Sequence, residues 1–146
     1  MAQFFTLDAE TICATQIEPA DMAQIKAMGV TLIVNNRPDR ESSDQPDGAE
    51  IEAAARDERI AYREIPITMG GAGEDDIAAL ARILQRHGAK RLLYCRSGTR
   101  SALLWGLAQA QLSRSASEVC AAIEAAGFRS GPVRASIERM AAGKAA

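Results

Sequence analysis

Aromatic side chains are scarce: Phe, Trp and Tyr make up 4% of this chain, whereas 47% of it is hydrophobic. A core must therefore be built from Ala, Ile, Leu and Val. Neither sign of charge is in excess, and the formal net charge is −2 with acids and bases interspersed. That pattern argues against a nucleic-acid or membrane-surface partner. No apolar run is long enough to span a bilayer. The N-terminus shows no basic region followed by an apolar stretch, so no signal peptide is expected. Three widely spaced cysteines make no disulfide framework. With one histidine and no Cys-x-x-Cys or Cys/His cluster, neither a metal nor a cofactor is expected. The expectation is a single domain over residues 1–146 in a reducing cytoplasm.

Against these absences stands one concentrated signal, Cys95-Arg96-Ser97-Gly98-Thr99-Arg100-Ser101. It follows the apolar run Arg91 to Tyr94 and precedes the helical run Ala102 to Trp105. A cysteine at a strand end, a short glycine-containing turn and an arginine at a helix mouth form an anion cradle. Backbone N–H groups converge there, the helix N-terminus adds partial positive charge, and Arg100 adds a forked cation. Cys95 is the nucleophile beneath, and the field favours its thiolate. Arg96, Ser97, Gly98, Thr99 and Ser101 are the substrate-contacting candidates. Ser101 is expected to cap the following helix and to reach the Cys95 sulfur. The competing reading is a buried core cysteine in a plain turn; two arginines, a serine and a glycine around it argue otherwise. Cys13 and Cys120 lie in apolar surroundings and read as core, as does Trp105.

The rest of the chain alternates strands with helices. Phe4 to Leu7 and Thr11 to Thr15 read as an edge hairpin, and Pro19 opens a helix to about Met28. Val30 to Val34 is a buried strand, 35–48 a loop, and Ala49 to Asp57 a helix. Ile60 to Ile67 alternates like a strand, Met69 to Gly73 is a turn, and Glu74 to His87 a helix. His87 is expected at that helix's C-terminal end, facing the dipole. Leu92 to Tyr94 is a strand, and Ser101 to Leu112 a helix. Ser115 to Glu118 has capping-box spacing for the next helix. Ser130-Gly131-Pro132 starts the last one, whose tail from Ala141 is expected to fray. The fold class is therefore α/β, with a mostly parallel four- to five-stranded sheet and helices on both faces. Ligands bind at strand carboxyl ends in such sheets. The loops after Val34, after Pro66 and at Cys95 are expected to converge there. Arg37 and Asp39 have two readings: a solvated surface pair, or a pocket in which Arg37 lines the site and Asp39 orients Arg37 or Arg100.

Gln16-Ile17-Glu18-Pro19, Val34-Asn35-Asn36-Arg37-Pro38-Asp39, Gln45-Pro46, Ile65-Pro66-Ile67 and Tyr94 to Ser101 together resemble one family. This is the phosphatase-like domain of beta-lactamase hydrolase-like proteins, and the likeness runs from about Thr11 to Leu112. It implies a cysteine-phosphatase-like fold with the Cys95 loop as anion cradle. Stand-alone members are often labelled sulfur transferases, and other relatives are fused to a hydrolase that handles persulfide sulfur. A link to such a hydrolase would act in trans here.

Four residues separate Cys95 from Arg100. Cysteine phosphatases use a ring one residue longer, whereas many rhodanese-type sulfurtransferases use the shorter one. Three residues past Pro66, where dual-specificity phosphatases carry an acid, stands Met69. Tyr94 replaces their usual histidine. The resulting expectation is a rhodanese-like sulfurtransferase that forms a Cys95 persulfide, with a small anionic sulfur donor and a thiol acceptor. The alternatives are a protein-tyrosine or dual-specificity-like phosphatase using Cys95, or a catalytically idle redox- or anion-sensing module.

Overall fold

The computed structural model describes residues 2–86 and 89–145. Two antiparallel strands, β1 (Phe4–Thr6) and β2 (Thr11–Ala14), form the expected hairpin. A 3₁₀ turn (Pro19–Asp21) leads into α1 (Met22–Ala27), then β3 (Val30–Asn35), α2 (Gly48–Asp57) and β4 (Ala61–Glu64). The chain continues through α3 (Glu74–Leu84), β5 (Lys90–Tyr94), α4 (Thr99–Gln111), α5 (Ala116–Ala125) and α6 (Gly131–Ala145). The strand order is β1-β2-β5-β3-β4, and every pairing except the hairpin is parallel. β5 therefore lies at the centre, and its end is the carboxyl end of the whole parallel sheet.

Alternation along the strands builds two cores, because successive side chains face opposite ways. Cys13, Val34 and Leu93 join Trp105, Leu104, Ile123 and Ile137 beneath the helices α3 to α6. Ile12, Ile33, Leu92 and Tyr94 join Ile25 and Ile51 beneath α1 and α2. Trp105 and Tyr94 are the aromatics among the largest fully buried side chains, and the rest of that set is Ile and Leu, as the composition implies.

Several boundaries differ from the sequence reading. β4 stops at Glu64 because it is an edge strand, paired only with β3. Beyond it, the amides of Ile65 and Ile67 donate to the carbonyls of Asn35 and Asn36, drawing this loop over the sheet end. α4 begins at Thr99, since Gly98 (φ +91°) makes the left-handed turn into it; Ser101 is inside the first turn. α3 ends at Leu84, and His87 lies outside the described residues. The C-terminal helix is assigned through Ala145, past the expected boundary at Ala141.

Candidate active site

The loop after β5 is held at both sides. The Cys95 amide donates to the Ala14 carbonyl (3.4 Å), and the Gln16 amide to that of Arg96 (3.1 Å). The Asn36 amide donates to the carbonyl of Tyr94 (2.8 Å). Within this frame the Gly98 N–H points at the Cys95 Sγ at 3.1 Å. The turn requires glycine twice over. Its φ of +91° is disfavoured for L residues, and a Cβ would stand 3.1 Å from the Phe128 ring. The Thr99 amide turns instead to the Ser97 hydroxyl (3.4 Å), so the amides do not all converge on sulfur.

Arg100 sits at the mouth of α4 with its side chain 12% exposed. Its Nη1 donates to Glu41 Oε2 (2.6 Å) and to the Ile67 carbonyl (2.7 Å), and its Nη2 to Glu41 Oε1 (2.8 Å). Glu41 also accepts from Arg37 Nε at 3.0 Å. Arg37, buried, donates further to Gln16 Oε1 (2.9 Å) and Ser42 Oγ (3.1 Å). The result is a cation–carboxylate–cation clamp. Its hydrogen bonds, from Arg100 first and Arg37 next, hold the Glu41 carboxyl down at about 2. Glu41 in turn raises the basicity of Arg100, and the charge of nearby Cys95 adds to the effect.

The expected loops do meet at one place, though some roles change hands. Asp39 orients neither arginine: its Oδ1 accepts from the Gly48 amide at the start of α2 (2.8 Å). Glu41, absent from the sequence reading, does that work. The available signal was an acid four residues past Arg37 in a strand-end loop. Arg37 acts through Glu41, since each of its guanidinium nitrogens has a protein partner. The Ser101 hydroxyl does not cap α4; it donates to Asn36 Oδ1 (2.8 Å), and Asn36 Nδ2 donates to the Ile65 carbonyl (2.9 Å). This buried relay ties the three loops together. Arg96, Ser97 and Thr99 lie exposed on the rim, the last two bonded to each other (3.1 Å).

Tyr94 is buried on the α1/α2 face, and burial pushes its phenol far above the ordinary range. It holds its proton and supplies no acid. Cys13 is pushed up to about 12, chiefly by burial and then by the charge of Cys95, which makes it a core thiol. Cys95 itself is fully buried beneath the clamp. Among the described residues no helix is long and apolar enough to cross a membrane, and no cluster of His, Cys, Asp and Glu could hold a metal.

A parallel α/β sheet with a cysteine-bearing loop at its centre and an arginine at the following helix defines a cysteine-phosphatase-like protein. Residues 3–112 match the model of the beta-lactamase hydrolase-like protein, phosphatase-like domain, and the chain belongs to that family. It is 35% identical over 114 residues to a beta-lactamase hydrolase-like protein of Xylella fastidiosa (strain 9a5c), covering 77% of this chain and 26% of the relative. A namesake from Agrobacterium fabrum (strain C58) is 31% identical over 91 residues, covering 62% of this chain and 21% of its own length. The chain thus spans about a quarter of the curated relatives it matches. Among solved structures, a Neisseria meningitidis Z2491 protein provisionally assigned as a phosphatase superposes with a TM-score of 0.81. The two are 29% identical, over 93% of this chain and 96% of that one. Kinase associated phosphatase shares the fold (TM-score 0.74, 13% identity, 97% and 96% coverage). The architecture supports phosphatase-like or related cysteine-based chemistry.

Proposed function

We propose that the protein hydrolyses phosphoric monoesters through Cys95. The observation that carries this reading is the Cys95 sulfur under the Gly98 amide, with the clamped Arg100 beside it. The likeness to phosphatase folds supports the same assignment. In this reading the Cys95 thiolate attacks phosphorus, the P–O ester bond breaks, and the alkoxide or phenolate leaves with the electron pair. Water then attacks the cysteinyl phosphate, the S–P bond breaks, and inorganic phosphate and thiolate are released. Arg100 and the Gly98 amide oppose the negative charge on the transferring group.

None of Met69, Glu41 and Tyr94 supplies a proton to a leaving oxygen. Met69 cannot donate a proton, Glu41 is ionised within its clamp, and Tyr94 is buried on the other face. General acid help is typically worth ~10²–10⁴-fold. Substrates whose leaving groups depart unassisted are therefore favoured, aryl esters above all.

The shorter Cys95-to-Arg100 ring favours a second reading, sulfur transfer by a Cys95 persulfide from a small anionic donor to a thiol. Sulfite and thiolates leave without protonation, so the missing acid is no handicap there. In that case the protein would serve a persulfide-handling hydrolase in trans, in the cytoplasm. One preparation tests both. Turnover of p-nitrophenyl phosphate that vanishes in Cys95→Ser supports hydrolysis. A one-sulfur mass gain on Cys95 after thiosulfate or glutathione persulfide, without ester turnover, replaces it with sulfur transfer.

A further inference from the structure

Beside the anion site lies a cavity of about 360 Å³, a volume in the range that small-molecule sites occupy. Ile67, Leu103, Leu107 and Val133 line it, with Met69 at its edge, and Arg100 belongs to the same wall. One side chain thus borders both the sulfur and an apolar hollow. Its opposite walls come from α4 and the start of α6, while the loop after Ile67 forms the third.

Met69 is 82% exposed, the one large hydrophobic so placed among the described residues. Lone exposed methionines are ordinary on a surface. This one borders an apolar hollow, and a thioether side chain adapts to irregular apolar shapes. Its loop is open as well: Gly71 takes φ +106°, and no atom would lie within 4 Å of a Cβ there.

The geometry points to an apolar aryl group of the substrate, with any alkyl substituent it carries, occupying this hollow while its anionic head lies between Cys95 and Arg100. The inference rests on the hydrolase reading above and names its substrate class: phosphoric monoesters of apolar phenols, the leaving groups that depart without an acid. Two observations select this occupant. Arg100 joins the hollow to the anion site, so a head and tail on one molecule satisfy both. The cavity also has mostly apolar walls, with the Glu41-paired Arg100 at one end, which matches an amphiphile's polarity better than a purely polar sugar or amino acid ester.

The experiment is a chain-length series. Inorganic phosphate, methyl, butyl and hexyl phosphate are titrated calorimetrically into Cys95→Ser below their micelle concentrations. The same compounds are run as inhibitors of the unsubstituted protein with p-nitrophenyl phosphate. Affinity is expected to rise about fourfold for each methylene that enters the cavity, then to level off when it is full. Leu103→Asn and Val133→Asn should each pull the hexyl-to-methyl ratio toward one.

A flat series with phosphate still bound overturns the tail assignment and leaves the hydrolase reading standing. Hexanol competing as well as hexyl phosphate also overturns it, since head and tail would then be unlinked. Failure of every phosphate to bind, inorganic phosphate included, removes both readings.

Discussion

Glu41 is the residue on which the site's geometry turns. A guanidinium on a flexible stem loses rotamer freedom when ordered; the two hydrogen bonds Arg100 donates to Glu41 and the one it donates to the Ile67 carbonyl hold it in place beforehand. Glu41→Gln keeps the shape but removes the charge, and kcat/KM for p-nitrophenyl phosphate is expected to fall about 10–100-fold, the usual scale for losing orientation. Asp39→Asn should behave differently. It weakens a bond to the Gly48 amide at the start of α2, worth about 1 kcal/mol. The melting temperature should drop by about 3–5 °C while kcat/KM stays within about twofold. Equal losses of activity from both variants would refute the assignment of the clamp to Glu41. Gly98→Ala is a third case. The strained φ and the close Phe128 ring should together cost about 1–2 kcal/mol and displace the amide from sulfur. Thermal melts and kinetics on the one variant should fall together.

At the scale of elements, α4 is the member that carries the site. It presents Arg100 at its N-terminus and is buried along most of its length, with Ala102, Leu104, Trp105, Gly106 and Ala108 inaccessible to solvent. A helix apolar nearly all round must be covered on every side. The sheet and α3 cover part of it, and α5 and α6 the rest. Gly106 marks the closest approach: a Cβ there would stand 2.7 Å from Ile123 and 3.2 Å from Ile137. The family match ends at residue 112, yet the cover over α4 lies beyond it. A chain ending at Leu112 is therefore expected to aggregate or to lose its cooperative melt, which circular dichroism will show. Ile137→Ala, from a fully buried position in α6, should cost about 2–4 kcal/mol by urea unfolding.

Element identity was legible where a helix carries its own end signals. Ser115 accepts from the Glu118 amide (3.3 Å), as its spacing implied, and Asp76 accepts from the Gly73 amide (2.9 Å) at the start of α3. Ends set by tertiary partners were not. β4 stops early because only one neighbour pairs with it. α4 starts early because Gly98, not Ser101, makes the turn.

For the whole molecule, near-neutral charge leaves local pairs rather than global repulsion to govern pH dependence. Glu41 has an ordinary value of 4.5 when free and about 2 in the clamp. The folded state thus binds this proton less readily than the unfolded chain. The clamp's stabilisation is complete above about pH 4.5 and is lost as pH falls toward 2. The melting-temperature gap between the unsubstituted protein and Glu41→Gln should accordingly be constant from pH 7 to 5 and close toward pH 2. A gap that persists at pH 2 would show that the carboxylate is not held by the arginines.

The sequence by itself determined the α/β alternation, the sheet that puts Cys95 at a strand end, and the glycine turn beside an arginine. Each follows from periodicity and local backbone preference within a few residues. Only the tertiary structure decided which acid meets Arg100. Asp39 and Glu41 are two residues apart on one irregular loop, and nothing local distinguishes them. The choice depends on where β3, the segment after β4 and α4 bring their ends together, and contacts spanning 59 residues of chain leave no trace in local spacing. The cavity beside Arg100 arises in the same way, from three segments that meet only when folded.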